Sequence, residues 1–279
     1  MEERSSKRLL ILNRLKSFIK KEKARTIGIA LGGGVVWGTA HIGVLEAIAA
    51  EGIKIDAIAG TSAGSVVAAL YAFGIDLDRI KSYAEKLSMS DIFKLRLPRM
   101  GLASTEGIGR LVREFIGDAK IEDADIPLYI PATDLTASET HLFEKVGVAD
   151  AVMASSAIPG IFVPVKMDGH TYVDGSLLAD VPRQTLKIKG IDFVIGVELI
   201  DKEKFKREPS NIFDVITKSI QIMVNETRME RLRFADVIIA PDVHDIGQFD
   251  FDRVPLLIRR GREAVSKHIE FIKSRAAAS

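Results

Sequence analysis

Short apolar runs without polar alternation recur along the chain, and stretches with helical spacing of apolar residues separate them. Such runs are typical of strands that are buried on both faces of a parallel sheet. The predicted strands cover residues 26–31, 53–59, 129–134, 193–199 and 237–240, and a hairpin covers 166–173. The predicted helices cover residues 39–50, 65–73, 149–157, 210–234 and 256–275, with two or three more between 76 and 125. Because strands alternate with helices, the pattern predicts an α/β fold, a three-layer α/β/α domain around a mostly parallel central sheet.

The first 25 residues have a different pattern. Residues 4–25 contain nine lysines and arginines but only one acidic residue, Glu22. Apolar residues recur among them at helical spacing, namely Ile11, Leu12, Leu15, Phe18 and Ile19. The pattern predicts a basic amphipathic helix over residues 1–25, followed by a domain over residues 26–279. The favoured interpretation is a helix that packs on the domain with a solvated basic face, and the alternative is peripheral contact with an anionic membrane surface.

Composition narrows the functions that the domain can have. The formal charge of +1 on 279 residues argues against nucleic-acid binding through bulk charge. The chain has no cysteine, which excludes disulfides, a thiol nucleophile and cysteine-bound metal. The spacing of His141, His170, His244 and His268 is not that of metal ligands. We expect neither a metal nor another cofactor. It shows neither a secretory leader pattern nor an apolar run of about eighteen residues, so we expect a cytoplasmic protein without a membrane span.

The string GTSAG at residues 60–64 indicates a nucleophile turn. It follows the predicted strand 53–59 and precedes a helical run, and this strand–turn–helix context gives a G-x-S-x-G string its chemical meaning. The tight turn would strain the backbone of Ser62, and Gly60 and Gly64 would let the strand and the helix approach closely. Ser62 would then present its hydroxyl at the carboxyl end of the strand.

Two further segments supply the groups that a serine nucleophile needs. The string GGGVVWG at residues 32–38 connects a predicted strand to a predicted helix, so its N–H groups can face a developing anion. Asp174 follows the predicted hairpin, and its carboxylate can accept the proton of the serine hydroxyl. We therefore expect the Ser62 hydroxyl and the Asp174 carboxylate to lie within hydrogen-bond reach, roughly 2.6–3.2 Å apart.

Four motifs in this order resemble the patatin-like phospholipases. They are LGGGVVWGTAHIGVLEA at residues 31–47, GTSAGS at 60–65, ASSAIPGIFVPV at 154–165 and VDGS at 173–176. The likeness runs from Thr26 to about Pro182 and, more weakly, through residues 235–241. It implies an acyl-ester hydrolase with a catalytic dyad, in which Ser62 attacks the ester carbonyl and Asp174 is its base, without a histidine.

The resemblance also implies roles for the glycine-rich segments. Backbone N–H groups of the glycine loop, at Gly33, Gly34 and Val35, would form the oxyanion hole, and Gly34 and Val35 are the direct counterparts of the family's donors. The other glycines of the motifs would shape the turns without reacting, and these are Gly32, Gly38, Gly60, Gly64 and Gly175.

Three positions depart from the family pattern. Trp37 stands where the family usually has arginine or lysine, and tryptophan lacks the charge with which such a residue supports the loop or meets a lipid phosphate. Val35 stands where glycine or alanine is usual, and a backbone donor there does not require glycine if φ is negative. Ser176 replaces a glycine or alanine after Asp174-Gly175, which is a small change.

The leading interpretation is a serine acyl-ester hydrolase of phospholipase A, lysophospholipase or esterase type. Its partner would be phospholipid, lysophospholipid or another fatty-acyl ester. The alternative is a non-catalytic protein that binds lipid or acyl chains and has lost its activity at Trp37.

Two other interpretations are disfavoured. A Ser–Asp–His triad with His244 or His268 would need more chain between the oxyanion loop and Ser62. A dinucleotide site would need an acidic residue at the end of the second strand, which ends instead in Gly60-Thr61-Ser62. We expect His41, on the helix after the glycine loop, to be structural.

Overall fold

The computed structural model describes residues 26–95, 101–200 and 232–276, with positions 208, 209, 212, 215, 216, 218–220 and 222–224 between the last two ranges. The basic helix predicted over residues 1–25 and much of the helix predicted over 210–234 lie outside the described residues. Within the described ranges, no helix is both long and apolar enough to cross a membrane.

Among the described residues, eight strands form the central sheet. They are β1 (Ile27–Leu31), β2 (Ala57–Gly60), β5 (Leu128–Asp134), β6 (Glu139–Phe143), β7 (Val165–Met167), β8 (His170–Val173), β9 (Phe193–Val197) and β10 (Val237–Ile239), while β3 (Lys94–Leu95) and β4 (Ala103–Ser104) pair separately. The order is β10-β9-β1-β2-β5-β8-β7, and β6 also pairs with β5. The first five strands in this order are parallel, whereas β6, β7 and β8 pair antiparallel. The predicted mostly parallel sheet is confirmed.

Helices and short 3₁₀ turns connect these strands. The helices are α1 (Ala40–Ala50), α2 (Ala63–Ala72), α3 (Leu77–Ala84), α4 (Met89–Ile92), α5 (Glu106–Ile116), α6 (Val148–Ser155), α7 (Ser176–Ala179), α8 (Arg183–Ile188), α9 (Val254–Ser266) and α10 (Ile269–Ala276). The 3₁₀ turns cover Val35–Thr39, Ile121–Asp123, Leu232–Phe234 and Phe251–Arg253.

The side chains of β1 alternate between two hydrophobic cores, as expected for a strand covered on both faces. Ile29 and Leu31 pack in the larger core with α1 and α2, whereas Ala30 packs in a smaller core with Leu186 of α8. Small residues are needed on the second face because a β-carbon on Gly28 would come within 2.9 Å of a side chain just after α8. Helices therefore cover both faces of the sheet, and the predicted α/β/α layers are confirmed.

Close contact with α9 fixes the position of α1, the helix after the glycine loop. A β-carbon on Gly43 would lie 1.8 Å from the carbonyl oxygen of Ile258, and one on Gly261 would lie 2.0 Å from that of Ala40. Because neither position has room for a side chain, the two helix backbones touch at these glycines. The start of α1, and with it the end of the glycine loop, is thereby held against the core.

Three local predictions differ from the structure. The helix predicted over 256–275 is two helices, since α9 ends at Ser266 and α10 begins at Ile269, and Ile272 of α10 lies in the core. The strand predicted over 53–59 begins only at Ala57, since the Asp56 carboxylate accepts a hydrogen bond from the Ile27 N–H just before it. The pattern does not predict β6, because most of its residues are exposed or half-buried.

Candidate active site

Ser62 lies in a strained turn between β2 and α2. Its backbone has φ 53° and ψ −127°, a conformation that residues with a side chain rarely adopt. Contacts require the flanking glycines: a β-carbon on Gly60 would lie 2.4 Å from the Gly64 carbonyl oxygen, and one on Gly64 would lie 2.4 Å from that of Leu31. The Ser65 hydroxyl donates to the Ser62 carbonyl at 2.6 Å and so braces the turn. This is the geometry of a nucleophile elbow.

Asp174 follows β8 and is buried, with only 3% of its surface exposed. The Ser176 N–H donates to its Oδ1 at 2.8 Å, whereas its buried Oδ2 has no hydrogen-bond partner. Burial raises the pKa of the Asp174 carboxyl, and the neighbouring Ser176 and Ser62 groups offset only part of this effect.

The Ser62 hydroxyl is near enough to lower the pKa of Asp174, but the two groups do not form a regular hydrogen bond. The predicted separation of roughly 2.6–3.2 Å between the two groups therefore stays a prediction. A buried carboxylate oxygen without a partner, beside a serine hydroxyl, is an available proton acceptor.

Ser155 ties these two segments together, a link that sequence reasoning missed. Its hydroxyl accepts a hydrogen bond from the Ser62 N–H at 3.1 Å and donates to the Pro131 carbonyl at 2.6 Å. Its carbonyl accepts from the Gly175 N–H at 3.2 Å. The only signal in the sequence is its place in the motif ASSAIPGIFVPV, because the bonding partners of its hydroxyl lie 93 and 24 residues away.

The glycine loop, residues 32–35, borders Ser62. A β-carbon on Gly33 would lie 3.2 Å from Cβ of Ser62 and 2.7 Å from Oγ of Ser176. The N–H groups of Gly33, Gly34 and Val35 donate to no other group of the described residues. Backbone N–H groups that take no part in helix or sheet hydrogen bonds can bind an anion, and these three lie beside the serine hydroxyl.

The backbone of this loop is strained. Gly34 has φ 156° and Val35 has φ 54°. The condition of a negative φ at Val35 is therefore not met, and a β-branched residue in the left-handed region is a genuine outlier. Such a conformation costs on the order of 1–3 kcal/mol and persists only where neighbouring structure holds it.

Trp37 supplies part of that support. It is buried, and its Nε1–H donates to the Ile246 carbonyl at 2.9 Å. The adjacent Val36 N–H donates to the Gln248 carbonyl at 3.1 Å, so both residues fasten the end of the loop to the segment after β10. Tryptophan lacks the charge of the family's usual arginine or lysine, but its packing and its hydrogen bond hold this end of the loop without charge.

An apolar cavity of about 120 Å³ lies next to Ser62. Apart from the hydroxyls of Thr39, Ser62, Tyr83 and Ser156, the side chains that line it are apolar. They come from the 3₁₀ turn after the glycine loop, from the part of the chain that contains α1 to α5, from the segment after α6 and from Phe251. Phe93 and Phe162 stack in its wall with ring centroids 5.0 Å apart. The cavity suits a hydrocarbon chain better than a polar or charged group.

No histidine, all five being described, forms a hydrogen bond to Ser62 or Asp174. His244 instead pairs with Asp242 at 2.6 Å and is exposed, and His268 does not line the cavity. The triad interpretation therefore has no geometric support. In the part of the chain that the structure describes, no group of three or more potential ligands could hold a metal ion.

Comparisons with known proteins show the family and the fold of the chain. The family model "Patatin-like phospholipase" matches residues 29–187, more than half of the chain. An uncharacterized NTE family protein of Mycobacterium tuberculosis is 34% identical over 188 residues, which cover 66% of this chain and 52% of that protein. Lysophospholipase NTE1 of Eremothecium gossypii is 35% identical over 187 residues, which cover 63% of this chain and 12% of that protein.

The crystal structure of VipD from Legionella pneumophila has the same fold, with a TM-score of 0.54 at 14% identity over 89% of this chain and 67% of that one. The chain spans about half the length of the mycobacterial relative and a smaller share of NTE1. The matched segment contains the glycine loop, the elbow serine and the aspartate after β8. The chain belongs to the patatin-like phospholipase family.

Proposed function

We propose that the chain is a serine acyl-ester hydrolase in which Ser62 is the nucleophile and Asp174 the base. The observation that carries this proposal is the juxtaposition of the strained Ser62 with the unpartnered Oδ2 of Asp174 in a buried site. The free N–H groups of the glycine loop supply the third requirement of acyl transfer, a place for the oxyanion.

The reaction uses these groups in turn. Oγ of Ser62 attacks the ester carbonyl carbon while its proton passes to Oδ2 of Asp174. The carbonyl oxygen becomes an oxyanion, and the N–H groups of Gly34 and Val35, with Gly33 beside them, stabilise it by roughly 3 kcal/mol each. The ester C–O bond then breaks, and Asp174 returns the proton to the leaving alcohol. Water attacks the acyl-serine with its proton going to Asp174, and the fatty acid leaves as Ser62 is restored.

The environment of Asp174 makes it a better base than a carboxylate in water. Because burial raises its pKa, its affinity for the serine proton is higher than that of a solvated aspartate. The proton transfer remains coupled to attack, since a serine hydroxyl is far less acidic than any carboxyl group. The oxyanion donors therefore contribute most of the stabilisation.

The cavity supports a fatty-acyl ester as the substrate, with phospholipid and lysophospholipid as the leading classes. Its lining is apolar except for four hydroxyls, so an acyl chain can enter it without leaving buried polar groups unpaired. Each methylene group that becomes buried contributes about 0.8 kcal/mol, or about fourfold in kcat/KM.

Hydrolysis of p-nitrophenyl esters of increasing chain length tests this proposal. We expect turnover by the wild-type chain, a rise of kcat/KM with chain length, and loss of turnover in Ser62→Ala. Wild-type protein that binds fatty-acyl lipid but does not turn over any ester would favour the non-catalytic lipid-binding alternative. Turnover that survives in Ser62→Ala would refute the assignment of the nucleophile.

A further inference from the structure

His41 is a fully buried polar side chain that the proposed reaction does not use. It lies near the start of α1, and its Nε2 is 2.8 Å from the Gly32 carbonyl oxygen. Because a carbonyl oxygen can only accept, Nε2 must carry the hydrogen, which leaves Nδ1 as the unprotonated nitrogen. Nδ1 is buried without a hydrogen-bond partner. A residue that served packing alone would fill this site better with an apolar side chain, since burying an unpaired nitrogen is unfavourable.

The His41 bond fixes one peptide unit of the glycine loop. The Gly32 N–H donates to the Val197 carbonyl at 3.1 Å, so both backbone groups of Gly32 are held, one by β9 and the other by His41. The peptide bond between Gly32 and Gly33 is trans, and the C=O and N–H of a trans peptide point in opposite directions. The Gly33 N–H is therefore directed away from His41, on a residue whose α-carbon adjoins Ser62.

The loop is held at its other end by backbone and tryptophan contacts. The Val36 N–H and the Trp37 ring bond to the carbonyls of Gln248 and Ile246, respectively. Between the two anchored ends, the N–H groups of Gly33, Gly34 and Val35 have no hydrogen-bond partner among the described residues, and Gly34 and Val35 have positive φ. A strained segment of this kind keeps its shape only while its ends are fixed.

We propose that His41 is a positioning residue, which holds the Gly32 carbonyl so that the N–H groups of the glycine loop face the oxyanion. This inference rests on the proposed function. Without the Nε2–H, the peptide between Gly32 and Gly33 can rotate, and rotation would turn a carbonyl oxygen towards the site. A carbonyl there repels an oxyanion, so the transition state loses stabilisation while substrate binding in the apolar cavity is unaffected.

The test compares three variants with the wild type on a soluble p-nitrophenyl ester. His41→Leu removes the donor, whereas His41→Gln keeps an N–H near the position of Nε2. Ile48→Ala is the matched control, because Ile48 is also fully buried on α1 but lies away from the loop. We expect His41→Leu to lower kcat by about 10²-fold, as misplaced catalytic groups do, with KM unchanged. His41→Gln should recover most of kcat, and Ile48→Ala should lower Tm without a comparable loss of kcat.

Hydrogen–deuterium exchange of the Gly32 and Val36 amides, which donate hydrogen bonds at the two ends of the loop, provides a readout that does not depend on turnover. Exchange should be faster in His41→Leu than in either Ile48→Ala or His41→Gln. If His41→Leu loses no more kcat than Ile48→Ala, or if loop exchange is the same in all variants, the inference is wrong. Absence of ester hydrolysis in the wild type would refute the proposed function instead, and loop exchange alone would then decide whether His41 holds the loop.

Discussion

The burial of His41 predicts that the protein loses stability in mild acid. Burial lowers the pKa of His41 from 6.5 to about 4, and the hydrogen bond to the Gly32 carbonyl offsets only part of this. At a pH between 6.5 and about 4, His41 binds a proton in the unfolded chain but not in the folded chain. The free energy of unfolding must therefore fall as the pH falls below about 6.5, and this loss is complete below about pH 4.

The magnitude follows from the two pKa values. One pKa unit corresponds to about 1.4 kcal/mol, so the difference between 6.5 and about 4 corresponds to about 3.4 kcal/mol. About 2.5 kcal/mol of this is lost by about pH 4.5, where the unfolded imidazole is protonated and the folded one is still mostly neutral. A typical domain has only about 5–15 kcal/mol of stability in total, so the effect is large enough to measure.

Urea denaturation of the wild type and of His41→Gln at about pH 7.5 and about pH 4.5 isolates this contribution. Glutamine does not titrate, so the wild type should lose about 2.5 kcal/mol more than the variant over this interval. Asp174 acts in the opposite direction, since its raised pKa favours the folded state in acid, but it is present in both proteins and cancels in the comparison. Equal losses in the two proteins would refute the reasoning, because they would mean that His41 titrates alike in the folded and unfolded chains.

Three further predictions concern the dyad, the loop and the N-terminal segment. Asp174→Asn should keep the fold but lose most of kcat, and adding Ser62→Ala should cost little more, since the two residues act as one unit. In the wild type, kcat should fall in acid as Asp174 is protonated, and the pH profile of kcat should show no limb near pH 6.5, where a histidine base would titrate. Turnover of Asp174→Asn near the wild-type rate would contradict the dyad. Trp37→Phe should lower the free energy of unfolding, measured by urea titration, by about 1–3 kcal/mol, because the buried Ile246 carbonyl loses its hydrogen-bond donor. An unchanged urea midpoint would show that packing alone holds the loop. The alternative interpretation of residues 1–25, contact with an anionic membrane, predicts that deletion of residues 1–24 weakens binding to anionic vesicles and spares soluble-ester hydrolysis, since each basic residue near such a surface is worth about 1 kcal/mol. Equal vesicle binding with and without the segment would support the favoured interpretation, a helix that packs on the domain.

The sequence alone determines the architecture and the local shape of the proposed nucleophile. Runs such as TIGIAL at 26–31 have no polar alternation, and this pattern is sufficient to predict a strand covered on both faces. GTSAG predicts the strained turn at Ser62, because the requirement for glycines two residues away on either side is a local steric one. The spacing of apolar residues and the residue types that a turn requires are local properties of the chain. They can therefore be recognised in the sequence before the fold is known.

Only the tertiary structure decides how distant segments act on one another. Asp174 lies close enough to Ser62 for the serine to lower its pKa, and the Ser155 hydroxyl accepts a hydrogen bond from the Ser62 N–H across 93 residues of chain. Val35 has a positive φ, and a β-branched residue keeps such a conformation only where the surrounding structure holds it. In the sequence, Trp37 is the position at which activity could have been lost. In the structure, its indole N–H donates a hydrogen bond to the Ile246 carbonyl, 209 residues further along the chain. These features depend on desolvation and on contacts between remote residues, which exist only once the chain has folded.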